Sequence, residues 1–200
     1  MDPTTMQRMN ILSVNVGTAR KLRINGRDVL SAIGKQPQAG SVAYGPMGLE
    51  GDEQADLSVH GGLSKAIYAY PSEHFAFWKT VRAQARAGLW DEDVPPGLMG
   101  ENLTLAGITE QALWIGDRLC FEDGGILVVS EPRYPCFKFN AAMGFPKASK
   151  MMAESGYCGA YLAVLVPGSL AAGQRFELVP GERALGLIEA FRSRTAGKSY

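Results

Sequence analysis

Short apolar runs separated by turn signals predict a protein rich in β-strands. Residues Ile11–Val16 alternate apolar and polar side chains, which is the two-residue period of a half-buried strand. Lys21–Ile24 and Arg27–Val29 flank Asn25-Gly26, a sequence typical of a two-residue hairpin turn. The later predicted strands are Lys65–Tyr70, Leu103–Leu105, Arg118–Glu122 paired with Ile126–Ser130, Gly159–Val166 and Gln174–Val179.

Apolar residues at helical spacing predict helices between and after these strands. Ser72 is the predicted N-cap of a helix through Ala87, Pro146–Ser155 is a second helix, and Glu182–Arg194 is a C-terminal helix. The glycine-rich, acidic segment Gly40–Gly62 is predicted to be a long loop. Because strands and helices do not alternate regularly, we expect a mainly β fold with a few helices. Its predicted form is a closed or nearly closed β-barrel with helices at the rim and a C-terminal helix.

The composition is typical of one globular domain. Two hundred residues, 46% of them hydrophobic, can bury a substantial core. We expect a single domain over residues 1–200, with its core at about 10–180 and the C-terminal helix and tail at 181–200. Lys and Arg total 20 and Asp and Glu total 20, so no overall field attracts nucleic acid or a membrane surface. The sequence shows no membrane span and no leader, and a cytoplasmic location is expected.

Three cysteines without a Cys-x-x-Cys pair disfavour both a disulfide framework and a zinc site. Cys120 and Cys158 fall in apolar strand contexts and are expected to be unreactive core residues. Cys136 differs because it follows a proline at a predicted strand end, between Arg133 and Lys138. A nearby cation favours the thiolate, which is the form that binds metals and attacks electrophiles. The competing interpretation is that Cys136 is an ordinary buried hydrophobe.

A second candidate site is the turn of His60, Gly61 and Gly62, followed by Lys65. Paired glycines can direct backbone N–H groups at an anion, and His60 and Lys65 add donors of suitable charge. The composition is that of a phosphate-binding turn. From this stretch alone, a tight turn that leads into the strand at Lys65 is the favoured interpretation.

Three other groups carry weaker signals. Gly100, Glu101 and Asn102 place an acid and an amide after a glycine turn, where they could recognise a heterocycle or simply begin a strand. His74 is expected to be an exposed or capping residue in the first turn of a helix. An acidic cluster in the long loop is expected to be a solvated surface, because it lacks the regular spacing of a cation-binding loop. Its members are Glu50, Asp52, Glu53 and Asp56.

Five of these motifs, in this order, resemble the MOSC domain family, the molybdenum cofactor sulfurase C-terminal domain, and in particular its YiiM-like branch. The resemblance covers most of residues 45–179. The matching pieces are Gly48-Leu49-Glu50-Gly51-Asp52, Val59-His60-Gly61-Gly62 with Lys65 and Tyr70, Gly100-Glu101-Asn102-Leu103, Gly116-Asp117 and Ser130-Glu131-Pro132-Arg133-Tyr134-Pro135-Cys136.

The resemblance implies a β-barrel-like fold, a bound molybdenum cofactor (molybdopterin) and Cys136 as the thiolate ligand of molybdenum. It also implies reduction of N-hydroxylated bases, such as 6-hydroxylaminopurine, or of related N-oxygenated compounds. In addition to Cys136, the candidate catalytic residues are Glu101 and His60, either of which could deliver the proton. The candidate cofactor-binding residues are His60, Gly61, Gly62, Lys65, Gly100, Asn102, Arg133 and Lys138.

The same reading sets expectations about partners. No flavin or iron–sulfur motif is present, so electrons are expected from an external flavin or iron–sulfur protein, and the substrate is expected to be a small molecule. Pyridoxal phosphate is not expected, because the aminotransferase-like portion fused to MOSC domains in cofactor sulfurases is missing. The oligomeric state stays open, with a homodimer as one expected form.

Two other functions also stay open: a carrier of molybdenum cofactor or sulfur on Cys136, and a metal-free hydrolase using Cys136 and His60.

Overall fold

The structure, a computed structural model, describes residues 9–24, 26–55 and 61–198. The α-helices in these ranges are α1 (Phe75–Gln84), α2 (Phe137–Met143), α3 (Ala148–Ser155) and α4 (Leu187–Thr195). The strands are β1 (Asn10–Val16), β2 (Arg20–Ile24), β3 (Arg27–Ser31), β4 (Gln36–Pro37), β5 (Val42–Gly45), β6 (Gly48–Leu49), β7 (Ile67–Pro71), β8 (Leu103–Ala106), β9 (Arg118–Phe121), β10 (Ile126–Pro132), β11 (Ala160–Val166), β12 (Gly168–Leu170) and β13 (Phe176–Val179). None of these helices has the length and apolar character that crossing a membrane requires.

Eight strands form one mixed sheet in the order β13-β9-β10-β11-β7-β8-β1-β4, and only β7 and β8 run parallel. On the side away from β8, strand β1 bonds to two different segments. Its end pairs with β4, whereas its start bonds to the chain before β13, where Ile11 N donates to Gln174 O at 2.9 Å and Gly173 N donates to Ile11 O at 2.7 Å. The mainly β fold with a few helices is therefore confirmed. Full closure of the sheet into a barrel stays a prediction.

Strand β7 separates two hydrophobic clusters. Its residues alternate between them: Ile67 and Ala69 join the first cluster, and Tyr68 and Tyr70 join the second. Both faces of β7 are buried, as the near-continuous apolar sequence of this strand requires. The first cluster contains apolar side chains of the sheet. The second lies between the sheet and the four helices, with Trp78 from α1, Phe139 and Met143 from α2, Met152 from α3 and Phe191 from α4.

Several predicted helix boundaries are wrong. Residues Ser72–His74 form a short 3-10 turn, and α1 begins at Phe75 and ends at Gln84, so Ser72 is not its N-cap. The turn is held by tertiary contacts, because the Glu73 carboxylate accepts a hydrogen bond from Gly107 N at 2.6 Å and the His74 ring is buried. The helices α3 and α4 are shorter than predicted, and α2 was not predicted at all.

The predicted long loop is only partly a loop. Within Gly40–Gly62, β5 and β6 pair with each other, and β5 also pairs with β12. These strands are too short and too polar to be recognised from their own sequence. Asn25 of the predicted hairpin turn lies outside the described residues, and β2 and β3 pair on either side of it as expected.

We expect Gly159→Ala to destabilise the protein far more than Gly173→Ala. Both glycines have positive φ, 68° and 85°. A Cβ at Gly159 would lie 2.5 Å from the Ala69 carbonyl oxygen and within 3 Å of the Tyr68 and Tyr70 rings, whereas nothing lies within 4 Å of one at Gly173. Urea unfolding should show a loss of about 1 kcal/mol for Gly173→Ala and about 3 kcal/mol or more for Gly159→Ala. Equal losses would contradict the packing described here.

Candidate functional site

An open cleft brings together most of the predicted site residues. Its volume is about 650 Å³, including the part open to solvent. Of the predicted residues, the ones that line it are Gly61, Lys65, Gly100, Asn102, Arg133, Cys136 and Lys138. Glu101 is not among the lining residues, and His60 lies outside the described residues. The sheet thus assembles in one place segments that are distant in sequence.

Cys136 is placed by the junction between β10 and α2. It is the extended residue immediately before α2, with φ −141° and ψ 162°. Its carbonyl oxygen accepts hydrogen bonds from Phe139 N at 3.0 Å and from the Ser149 hydroxyl at 2.8 Å, so both α2 and α3 fix its backbone. Its side chain is half-buried and lines the cleft. Cys136 therefore follows the end of β10, as predicted, but it lies four residues beyond that end and is the N-cap residue of α2.

Arg133 is a buried cation beside this sulfur. Only 3% of the residue is exposed, and its Nη2 lies 3.8 Å from Cys136 Sγ. Nη1 lies 3.0 Å from Met152 Sδ, and the guanidinium carbon is 4.6 Å from the Phe139 ring centroid. No carboxylate of the described residues forms an ion pair with Arg133. A buried cation without a carboxylate favours an anionic form of the group that it contacts.

The charge environment of Arg133 agrees with this geometry. Burial by itself lowers the pKa of Arg133, but attraction to Cys136 and to the surrounding tyrosines outweighs it, and the pKa is raised. The neighbouring residue Tyr134 is held by the C-terminal helix: its ring stacks on Phe191, with 5.9 Å between centroids, and the Arg194 guanidinium lies 4.4 Å from it. Helix α4 therefore fixes the segment that carries Arg133 and Cys136.

Two lysines complete the cationic lining near Cys136. Lys138 reaches the cleft from α2, two residues after the cysteine. Lys65 lies 3.7 Å from the Glu131 carboxylate and 5.9 Å from the Tyr161 ring centroid. Both lysines are half-buried. Arg133, Lys65 and Lys138, three of the predicted cations, therefore line the same cleft as Cys136.

The paired glycines pack against a side chain. Gly61 and Gly62 have φ values of 121° and 81°, which favour glycine. A Cβ on Gly61 would lie 2.2 Å from Gln54 Oε1, and the same oxygen accepts a hydrogen bond from Gly62 N at 3.0 Å. The Gly62 N–H is thus already engaged within the protein. Gly61 lines the cleft, and anion binding by this turn stays a prediction.

Asn102 is engaged on both sides of its amide. Its Oδ1 accepts a hydrogen bond from Tyr68 N at 3.0 Å, and its Nδ2 donates to Asn15 O at 3.2 Å and to Asp52 Oδ2 at 2.9 Å. These bonds connect β7, β1 and the loop before the paired glycines. Asn102 thus holds the cleft wall together.

Glu101 lies behind that wall and is fully buried. Its Oε1 accepts hydrogen bonds from Gly97 N at 2.7 Å and from the Thr104 hydroxyl at 3.0 Å, whereas Oε2 has no partner among the described residues. Burial raises the pKa of Glu101 to about 7, although the hydrogen bonds act in the opposite direction. The carboxyl group therefore exchanges its proton near neutral pH.

The cleft also contains an ion pair between Lys35 and Asp52, which was not predicted from the sequence. The two side chains are in direct contact and are 8% and 4% exposed. Asp52 Oδ1 also accepts a hydrogen bond from Gly17 N at 2.8 Å. Burial lowers the pKa of Lys35, with Asp52 and then Glu101 opposing the shift. Asp52 is the only acceptor for the Lys35 ammonium among the described residues, so this group can donate to a ligand in the cleft.

The acidic cluster is therefore not a simple solvated surface. Asp52 is committed to three donors, and the exposed Glu53 accepts a hydrogen bond from Ala19 N at 2.6 Å. Glu50 is exposed as predicted, and Asp56 lies outside the described residues. No group of three or more His, Cys, Asp or Glu side chains suited to hold a metal occurs in the described ranges.

The expectation for His74 holds only for its position: it is the N-cap residue of α1, but its side chain makes no capping hydrogen bond and is not exposed. The residue is only 8% exposed, its Nε2 lies 2.7 Å from Glu110 Oε2, and its ring stacks on Tyr157 with centroids 3.7 Å apart. The prediction failed because Glu110 and Tyr157 are distant in sequence. Cys158 is buried, and burial raises its pKa well above the ordinary value, in line with an unreactive core residue. Cys120 is only half-buried.

The fold and the cleft define a mainly β protein with a cysteine and several cations at one site. A family model for the MOSC domain matches residues 56–177. The Bacillus subtilis protein YflK is 34% identical over 187 residues, which are 93% of this chain and 80% of YflK. Escherichia coli YiiM is 38% identical over 150 residues, covering 74% of this chain and 64% of YiiM. A Gibberella moniliformis protein named reductase is 34% identical over 169 residues, covering 84% of this chain and 29% of that protein.

The fold comparison agrees with the sequence comparison. The crystal structure of YiiM from Geobacillus stearothermophilus superposes with a TM-score of 0.73 and 32% identity, covering 94% of this chain and 84% of YiiM. The chain belongs to the MOSC domain family, as its motifs predict. This domain is associated with molybdenum cofactor binding.

We expect Glu101→Gln to change how stability depends on pH. The folded-state pKa of about 7 lies above the ordinary 4.5, so the folded protein keeps a proton that the unfolded chain releases. The free energy of unfolding should therefore fall as pH rises from about 4.5 to about 7, by on the order of 3 kcal/mol from this group. Urea unfolding across this range should show that decline reduced in Glu101→Gln and retained in the exposed control Glu122→Gln. The same decline in both variants would contradict the buried state of Glu101.

Proposed function

We propose that this protein is a molybdenum-cofactor-dependent reductase of N-hydroxylated bases or related N-oxygenated compounds, with Cys136 as the protein ligand of molybdenum. The observation that carries the proposal is the contact between the Cys136 sulfur and the buried Arg133 guanidinium in an open cleft. Membership of the MOSC domain family supports the cofactor. The relative named reductase supports the reaction class.

The donors in the cleft fit this cofactor. A thiolate is a soft ligand and suits a molybdenum centre that already binds sulfur. The cofactor also carries a phosphate, and Lys35, Lys65 and Lys138 line the same cleft as Cys136. Lys35 is the best placed of these donors, because its ammonium group is buried and Asp52 is its one acceptor among the described residues. We therefore expect the lysines to hold the phosphate and Arg133 to stabilise the charge on Cys136.

Reduction of an N-hydroxylated amine to the amine and water consumes two electrons and two protons. When bound, the cofactor would supply the two-electron chemistry. The chain's own residues would orient the substrate and provide protons. Glu101 has a pKa of about 7 and is suited to proton exchange, but it lies behind the cleft wall. Proton delivery by Glu101, or by His60, stays a prediction. The buried ammonium group of Lys35 lines the cleft itself and is a further candidate proton donor.

The experiment that tests the proposal is turnover by protein loaded anaerobically with molybdenum cofactor. With reduced methyl viologen as electron donor, the loaded wild type should convert 6-hydroxylaminopurine to adenine, followed by chromatography. Cys136→Ser should lose about 100-fold or more of this activity, since an alkoxide cannot replace a soft thiolate ligand. Cys120→Ser is the matched control, because Cys120 does not line the cleft, and it should retain the activity.

Two results would contradict the proposal that this protein is a reductase. Loaded protein that reduces no N-hydroxylated compound but transfers its cofactor to an apo-enzyme would be a carrier. Protein free of molybdenum that hydrolyses ester substrates through Cys136 would be a hydrolase.

A further inference from the structure

The hairpin of β2 and β3 carries positive charge that the proposed reaction does not use. It forms a two-stranded sheet of its own, separate from the eight-stranded sheet. Its cations Arg20, Lys21, Arg23 and Arg27 are all exposed, and Asp28 is its only acid. The other residues of the chain include 16 Lys and Arg against 19 Asp and Glu, out of 20 and 20 in total. The hairpin, here called the basic arm, is thus a local concentration of charge in a protein without net charge.

The basic arm adjoins the cleft. Strand β3 ends at Ser31, which lines the cleft together with the following residues Ala32 and Ile33. The chain entering β2 is anchored to the loop beside the cleft, because Gly17 N and Ala19 N donate to the carboxylates of Asp52 and Glu53. A molecule bound to the arm would therefore stand next to the cleft.

The charge on the basic arm is largely uncompensated within the described residues. Arg23 pairs with Asp28 at 3.2 Å, but these side chains are 72% and 50% exposed, so the pair is screened by solvent. Arg20, Lys21 and Arg27 form no ion pair with any described residue. Exposed charge of one sign beside an active cleft steers a partner of opposite charge to it.

The electron balance of the proposed function gives the nature of this partner. Each turnover breaks one N–O bond, takes up two protons from solvent and requires two electrons. The sequence given carries no flavin or iron–sulfur motif, and no metal-binding cluster occurs in the described ranges, so the proposed reaction draws its electrons from a separate donor. Resting on the proposed function, we propose that the basic arm is the docking surface for an acidic flavin protein that is oxidised at this cleft.

Binding to an acidic flavodoxin, used as the probe protein, tests the docking surface without relying on turnover. The test variant is Lys21→Glu/Arg27→Glu, which reverses two charges of the arm that form no ion pair with a residue in the described ranges. The matched control is Arg118→Glu/Lys198→Glu, which changes the net charge equally at exposed positions outside the arm. Calorimetric titration at low salt should show affinity at least about tenfold weaker for the arm variant and close to wild type for the control. Added salt should weaken wild-type binding strongly.

Turnover of the loaded variants separates the two claims. With reduced methyl viologen, a small cation that needs no docking surface, the arm variant should match wild type; with reduced flavodoxin it should be slower. No turnover of the wild type with either donor would remove the proposed function. Turnover with viologen, together with equal binding of flavodoxin by the arm and control variants, would overturn the docking proposal alone. Arm-dependent binding to vesicles of anionic lipid, without binding to flavodoxin, would overturn it in favour of a membrane surface.

Discussion

The candidate site depends on the contact between the buried Arg133 guanidinium and the Cys136 sulfur, since Arg133 forms no ion pair with a carboxylate of the described residues. Removing the Arg133 charge from water is costly, and the Phe139 and Tyr68 rings, with centroids 4.6 Å and 5.8 Å away, compensate only part of that cost. An anion beside the guanidinium compensates much more. The Cys136 sulfur at 3.8 Å is close enough for the guanidinium to stabilise a thiolate there, as the proposed molybdenum ligation requires.

The surrounding fold holds these two groups in place. Arg133 N donates to Gly159 O at 3.5 Å, and Gly159 N donates to Glu110 Oε1 at 2.7 Å, which in turn is part of the buried pair with His74. On the other side, Ser149 of α3 binds the Cys136 carbonyl. The electrostatic arrangement at the cleft thus rests on contacts that extend from the sheet to the helices.

The longer strands and the place of Cys136 in the chain could be predicted because their signals are local. The alternation of apolar and polar residues over Ile11–Val16 predicts β1, and the two-residue turn motif predicts the β2–β3 hairpin. Cys136 is recognised as a candidate because it follows a proline and lies between two cationic residues. The other features depend on partners far along the chain. Lys35 has no motif of its own and gains its role from Asp52, and His74 is buried because Glu110 meets it across 36 residues. Helix α2 is stabilised chiefly by packing of Phe139 and Met143.

The most direct test of the account is the molybdenum content per chain after anaerobic loading with molybdenum cofactor. If Cys136 binds the metal beside Arg133, wild type and Cys120→Ser should hold nearly stoichiometric molybdenum, and Cys136→Ser should hold far less. Equal molybdenum in wild type and Cys136→Ser would show that the sulfur is not the ligand. Absence of molybdenum from all three proteins would contradict the cofactor site itself.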